Sequence, residues 1–363
     1  MPTALTPPPK RQPRRMLRVA AALGAAACMA ACIAASLPAR AAEARADEPA
    51  RGAAMADLQL ALADSKPARG AQEAQPPATL AVLYPQALEP YRSIFAGIVK
   101  GIESGAKAPV QTLAVAPEMS QAEVAAYLKA NGIKVVIALG QQGWRLASGL
   151  DGDIQVVVGG VVKMPEPGKR AYKGVSLVID PALLFRRLKS LQPGVKKVHV
   201  VYSASANAWL IKIAKDAARN LGLELVAHEA PDLSSAAQAY EAIVAGATEG
   251  RDALWLPQDS QTMDEVTLLS MVLRQSWARN IPVFSSNISH VKRGSLFALY
   301  PDNVGMGRTL AGIALASGRE ADKSTLALLE DVNGAVNLRT GTHVGISLSP
   351  EQKKDYAQFF PEE

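Results

Sequence analysis

The polar residues suited to ligand chemistry in this chain gather just after short apolar runs. Tyr84-Pro85-Gln86 closes the run LAVLY (80–84), Gly140-Gln141-Gln142 follows VVIAL (135–139), and Gly159-Gly160 follows IQVVV (154–158). Ser203, Ser205 and Asn207 follow VHVVY (198–202), and Pro257-Gln258-Asp259-Ser260 follows ALWL (253–256). Ser285-Ser286-Asn287 closes IPVFS (281–285), and Asp302 stands beyond SLFAL (295–299). Each cluster leads into a helix start, where free backbone N–H groups beside Ser or Asn suit a carboxylate or carbonyl oxygen. On this reading Ser203, Ser205, Asn207 and Ser285 meet a ligand carboxylate or carbonyl, and Asp259 and Asp302 meet an amine or hydroxyl. Tyr84, Gln86, Gln141 and Gln142 add hydrogen bonds from another wall, and Ser260 and Asn287 complete the candidate set. Ser, Asn and Asp also cap helices for purely local reasons, so the weight lies in the repetition at several strand ends.

Patterns for covalent or metal chemistry do not appear. No G-x-S-x-G elbow, no phosphate-binding G-x-x-x-x-G-K-[ST] loop and no H-E-x-x-H stand in the sequence. His199, His228, His290 and His343 have no metal-ligand spacing, so no metal, cofactor or catalytic residue is expected. Gly305-Met306-Gly307-Arg308-Thr309-Leu310 lacks a third glycine and reads as close helix packing rather than a dinucleotide loop. Of the four tryptophans, Trp144 and Trp209 are best placed to line a cleft.

The elements that must hold these clusters alternate strand and helix. The strands are continuous apolar runs, which means cover on both faces and a parallel sheet. Strands are expected at 80–84, 110–115, 135–139 and 154–158. Between them come helices at 90–104, at 120–130 with a Ser120/Glu123 capping box, and at 142–149. The alternation restarts with helices at 181–191, 208–221, 235–245 and 263–278 and strands at 198–202, 224–228, 253–256 and 281–285. The fold class is α/β, with two doubly wound parallel-sheet lobes joined by a multi-crossing hinge. The first lobe is assigned 78–176 with 295–340, the second 177–294, and 341–363 is a C-terminal tail.

The N-terminus is a different kind of sequence. Lys plus Arg is 39 against 33 acidic residues, and six of the basic ones, with no acidic one, lie in residues 1–41. The remainder is balanced, which argues against a nucleic-acid partner. The uncharged stretch 19–37 and Ala39-Arg40-Ala41 read as a signal peptide cut after Ala41. An uncleaved anchor and lipidation at Cys32 are the alternatives. Cys28 and Cys32 are the only cysteines, so a chain cut at Ala41 has none. Residues 42–77 read as an Ala/Pro-rich tether.

Several segments resemble the substrate-binding proteins of ABC transporters, in the type I periplasmic-binding branch that includes tryptophan-type binders. These are Gly174-Val175-Ser176 with Asp180-Pro181, Tyr202-Ser203 with Ala206-Asn207, ALWLPQD (253–259), IPVF (281–284), Val291-Lys292-Arg293-Gly294 and Val336-Asn337-Leu338. The chain departs from the family where ligand would be touched. Asp259-Ser260 replaces Asp-Asn, Asn287 replaces Asp, and Asp302-Asn303-Val304-Gly305 replaces a D-Y-Y-x-x-G run. In the first lobe Tyr84-Pro85-Gln86, Gly140-Gln141-Gln142 and Gly159-Gly160 replace His-Pro, Thr-Pro and Val-Thr-Asp-Pro. The resemblance implies a periplasmic binder that closes on a small polar ligand, an amino acid or similar, and hands it to an ABC permease. The alternative is an envelope interaction or sensor protein on the same fold, accessory to another transport complex. Contact with the membrane is expected only through the signal peptide or a lipid anchor.

Overall fold

A computed structural model describes residues 80–163, 171–316 and 324–362. The segments read as signal peptide and tether lie outside the described residues. No helix among those described is long and apolar enough to cross a membrane.

The first sheet has six strands, all with parallel neighbours, in the order β11-β5-β4-β3-β1-β2. Its strands are β1 (Leu80–Pro85), β2 (Val110–Val115), β3 (Val135–Leu139), β4 (Gln155–Val161), β5 (Lys173–Ile179) and β11 (Thr325–Leu329). Helices α1 (Tyr91–Ala106), α2 (Gln121–Ala130) and α3 (Gly140–Ala147) connect them. The expected capping box starts α2, with Ser120 accepting from the Glu123 N–H while the Glu123 carboxylate accepts from the Ser120 N–H. β5 is a strand that periodicity had not marked. Gly174, its second residue, lets β5 approach β4, because a Cβ there would lie 2.0 Å from the Val158 carbonyl oxygen.

The second sheet has seven strands, in the order β13-β12-β10-β9-β8-β6-β7. These are β6 (Lys197–Tyr202), β7 (Glu224–Glu229), β8 (Asp252–Leu256), β9 (Val283–Ser285), β10 (Phe297–Pro301), β12 (Val332–Asn337) and β13 (Gln358–Phe360). Here β12 runs antiparallel to β10 and parallel to β13. Helices α4 (Pro181–Leu191), α5 (Ala204–Asn220), α6 (Leu233–Gly246), α7 (Leu268–Ala278) and α8 (Ile288–Arg293) cover it. Helix α4 starts as expected, with Pro181 in its first turn and the Asp180 carboxylate accepting from the Ala182 N–H. Beneath the sheet, Phe185 meets Trp255 and Phe284 edge-on at centroid distances of 5.6 and 6.3 Å, and Phe284 stacks on Phe297 at 5.2 Å.

The chain crosses between the sheets three times: from β5 to α4, from β10 into helix α9 (Asn303–Leu315), and from β11 to β12. Two backbone bonds tie these crossings, Asp180 N–H to Leu329 O at 3.1 Å and Asp302 N–H to Asp331 O at 2.9 Å. The lobe boundaries change at this point. Residues 295–340 do not return to the first lobe as one block. β10 and β12 belong to the second sheet, in register Phe297↔Phe284 and Phe297↔Val336. Only α9 and β11 join the first. A short apolar run carries no label for the sheet it will join, because that choice is made by partners distant in sequence. Nor is 341–363 a free tail. Helices α10 (Leu338–His343) and α11 (Pro350–Lys353) lead to β13, which pairs with β12.

Helix α9 packs on α1 at backbone distance. A Cβ on Gly101 would lie 2.1 Å from Val304 O, and one on Gly307 2.1 Å from Ile98 O. The Gly305-Met306-Gly307 segment therefore serves helix packing, as expected.

Candidate functional site

The carboxyl ends of the parallel strands carry the candidate residues, which is where open α/β sheets bind ligands. In the first sheet, Tyr84 is half-buried at the end of β1 and Gln86 is exposed beyond it. Gly140 (φ +69°) is already the first residue of α3, so Gln141 and Gln142 occupy the first turn of the helix rather than a loop. Gln141 is exposed, whereas Gln142 turns inward and its Nε2 donates to the Ala116 carbonyl at the end of β2. A Cβ on Gly160 (φ +68°) would lie 3.3 Å from Gly140 N and 3.6 Å from the Phe95 ring, so two bare backbones meet there. Trp144 is buried against Tyr172, edge-on at 4.3 Å, and faces no cleft.

In the second sheet the polar residues bond chiefly to one another. Asp259 is buried, and its carboxylate accepts from Ser203 N–H (2.7 Å), Asn207 Nδ2 (3.0 Å) and Gln261 N–H (3.1 Å). The Ser203 hydroxyl donates to the same carboxylate, 2.8 Å from Oδ2 and 3.0 Å from Oδ1. Four donors thus occupy the roughly four acceptor positions of one carboxylate. Asp259 pins the start of α5 to the loop after β8 and does not stand open to an amine. Burial, with Asp259 nearby, pushes the Tyr240 phenol well above its ordinary pKa.

Ser285 is equally committed. Its Oγ donates to Leu256 O (3.2 Å), accepts from Asn287 N–H (3.0 Å) and bonds His290 Nδ1 (2.8 Å). With the hydroxyl proton on Leu256 O, His290 Nδ1 is the donor to Ser285 Oγ. Burial drives the His290 pKa down to about 4. A fully buried serine of this kind holds a loop and offers no nucleophile. Asn287 caps α8 through Ser289 N–H, and its Nδ2 lies 3.3 Å from Glu265 Oε1. Asp302 caps α9 by accepting from Val304 and Gly305 N–H, with Arg308 3.8 Å from its other oxygen. That places Asp302 at a crossing, where it holds the chain.

Ser205, Ser260 and Gln261 remain exposed at this wall, Ser205 donating to Gln261 Oε1 at 3.0 Å. Trp209, half-buried, donates to Ala206 O at 3.1 Å. Sequence reasoning had not singled out Gln261, Glu265 or His290. Gln261 was legible as the second residue after Asp259. Glu265 and His290 lay beyond reach because their partners are set by the fold.

Two helices start here without a side-chain cap on their first N–H groups. The residue before α3 is Leu139, and Ser203 before α5 gives its hydroxyl to Asp259 instead. Helices α1 and α7 also lack a cap at that position, but Glu89 takes Ser93 N–H and Asp264 takes Thr267 and Leu268 N–H. α3 follows β3, in the middle of the first sheet, and α5 follows β6, next to the edge strand β7 of the second; their first N–H groups are available to an acceptor oxygen. Among the described residues no group of three or more His, Cys, Asp or Glu gathers to hold a metal. A cavity of about 410 Å³ lies elsewhere, lined by Leu191, Leu296, Val336, Leu338, Ile346 and Leu348 at the amino ends of the second sheet's parallel strands.

Two α/β lobes with parallel-dominated sheets, and polar groups at the strand ends, are the architecture of type I periplasmic binding proteins. The family model for ABC transporter substrate binding proteins matches residues 100–351, and the chain belongs to that family. A substrate binding protein with adhesive properties from Clostridium difficile, in its ligand-free, open structure, is 16% identical with a TM-score of 0.55. That match covers 77% of this chain and 99% of the other. The ABC domain from Streptococcus pneumonia in complex with L-Trp is 19% identical, covering 77% of this chain and 100% of that one, with a TM-score of 0.44. A conserved domain protein from Vibrio cholerae is also 19% identical, covering 78% and 100%, with a TM-score of 0.45. No curated protein matches the chain.

Proposed function

We propose that this chain is an exported solute-binding protein that closes two lobes on a small polar ligand and delivers it to an ABC permease. The observation that carries this reading is the pair of uncapped helix starts, α3 and α5, at the carboxyl ends of the parallel strands β3 and β6, one in each sheet. A bound oxygen replaces the missing caps, and closure brings both sets of donors to one molecule. Gln86 and Gln141 on the first wall, and Ser205, Ser260 and Gln261 on the second, supply the exposed side-chain contacts. Tyr84 and Gln142 shape the first wall, while Ser203, Asn207, Asp259, Ser285, Asn287 and Asp302 hold the second in place. The export signal and the balanced charge of the remainder fit a periplasmic location, with the membrane reached through the N-terminus alone.

Small-angle scattering tests the reading. A ligand that stabilises the protein should shrink its radius of gyration on saturation, since lobes that trap a ligand close around it. Stabilisation without compaction would count against closure. The second reading is an envelope interaction or sensor protein. It is favoured by the replacement of the family's first-wall motifs with Tyr84-Pro85-Gln86 and Gly140-Gln141-Gln142. A folded protein that no small molecule stabilises would move the conclusion there.

A further inference from the structure

Two histidines outside the candidate site lie on the last two strands of the second sheet. His199 is on β6 and His228 on the edge strand β7, in a register that sets His199 opposite Val226 and Val201 opposite His228. Both imidazoles therefore stand on one face of the sheet, diagonally opposed, and both residues are half-buried. His199 Nδ1 is 3.4 Å from His228 Nε2. The 5.7 Å between ring centres is that contact plus a ring radius at each end, so the rings meet end to end. Lone pairs aimed along one line hold a proton between them, whereas a metal ion needs them to converge on a point off that line. The far side of His199 meets β8. Asp252 Oδ1 lies 3.6 Å from His199 Nε2, and Asp252 Oδ2 accepts from Thr248 N–H at 2.6 Å. This buried carboxylate draws the His199 proton to Nε2, which leaves His199 Nδ1 to accept and His228 Nε2 to donate.

We propose that His199 and His228 form an acid-sensitive clip on edge strand β7, closed by one proton between the rings and opened when both rings become cations. The first added proton goes to the outer nitrogen of His228 and leaves the bond intact. The second has only His199 Nδ1 to take, where it sets two N–H groups and two positive rings against each other. Burial, and for His228 the charge of His199, hold both rings below the ordinary pKa of 6.5. The clip is therefore closed above about pH 6.5 and is lost as pH falls through the lowered values. Around it stand Lys197 on β6 and Glu224 on β7, 3.9 Å apart, and Asp252 on β8. From α6, which packs on this face beside Val201, Tyr240 is turned to Asp259 and Thr262, and Glu241 is exposed. Glu249 and Arg251, in the turn before β8, are exposed, and Glu229 points to the opposite face, where it accepts from the Tyr202 hydroxyl at 3.4 Å. Among the described strands β7 pairs with β6 alone, so loss of the clip is felt first at β7. The proposal stands on the fold and does not depend on the solute-binding reading.

Two readouts on the full chain test it. Long-range nitrogen–proton NMR follows each imidazole nitrogen from about pH 8 to about pH 4. The expected result is two steps at least about one pH unit apart, the first on His228 and the second on His199 Nδ1. Amide exchange, corrected for the intrinsic effect of pH, should show the protection of β7 falling about tenfold or more through the second step while that of β8 holds. His228→Gln keeps an N–H donor for His199 Nδ1 and takes no charge, so it should fold at neutral pH and keep β7 protected in acid. That variant also separates the clip from His290, whose titration acts on the whole fold and is left in place. Independent one-step titration of the two rings overturns the proposal. So does β7 protection that falls no more than that of β8 down to about pH 4, or a His228→Gln variant whose β7 loosens in acid as much as the native strand.

Discussion

Replacing Asp259 with Asn separates a carboxylate that holds the fold from one that waits for a ligand. The native group accepts from Ser203 N–H, Ser203 Oγ, Asn207 Nδ2 and Gln261 N–H. Asn keeps one carbonyl oxygen and substitutes an NH2 for the other. The better of its two orientations leaves the carbonyl on Ser203 N–H and Asn207 Nδ2, where the shorter contacts lie. The NH2 then faces Gln261 N–H, which loses its acceptor, while the Ser203 hydroxyl can turn to accept. Hydrogen bonds to a charged group contribute about 1.5–3 kcal/mol each and neutral ones about 0.5–1.5. Weakening two and losing one costs about 3 kcal/mol. For a body of this size each kcal/mol moves Tm by about 2 °C, so the Tm of free Asp259→Asn should fall by about 6 °C. Ser260→Ala, one residue on and exposed, should stay within about 0.5 kcal/mol. Thermal unfolding of the free protein reads both. A carboxylate held open for a ligand would behave in the opposite way, with Tm unchanged or raised and ligand stabilisation lost. A fall of less than about 1 °C would refute the anchoring role assigned here to Asp259.

Three further expectations follow from the packing and hydrogen bonds of the fold. Gly101→Ala should cost about 2–3 kcal/mol, because its Cβ would meet Val304 O at 2.1 Å and force α1 from α9. Gly312→Ala, in α9 with nothing within 4 Å, should instead gain up to about 1 kcal/mol, and urea unfolding compares the two. Acid should destabilise the fold through His290, whose folded pKa is pushed to about 4 from an ordinary 6.5. The folded state resists protonation, so its full stability is present above about pH 6.5 and is lost as pH falls toward 4, by about 3 kcal/mol in all. His290→Asn should flatten the dependence of Tm on pH in that window. His199 and His228, also held below their ordinary values chiefly by burial, should leave a residual slope. Finally, Gln142→Ala should cost about 1 kcal/mol by removing one of the two donors on the Ala116 carbonyl, which keeps the Met119 N–H, readable as faster amide exchange at the end of β2.

The sequence by itself determined most of the local elements and their order, though not β5 or β11. Continuous apolar runs such as VVIAL (135–139) make strands covered on both faces, because neither face of such a run suits water. Ser120 with Glu123, and Asp180 with Pro181, set helix starts through bonds that span three residues or fewer. The double glycine of 305–307 announced a close helix contact, since a missing Cβ is useful only where backbones approach. Sheet membership was decided by tertiary structure. β10 looks the same whether it pairs with β9 or with a strand of the first lobe, and only three-dimensional register settles the choice. The use of each polar residue was decided there too. Ser203, Asn207 and Asp259 were legible as a site because hydrogen-bonding groups stood at strand ends. Whether such groups face a ligand or one another depends on the distance between loops about 50 residues apart, here closed to 2.7 Å between Ser203 N–H and Asp259. No residue type or local spacing encodes that distance, because it is set by how β6 and β8 lie side by side in the folded sheet.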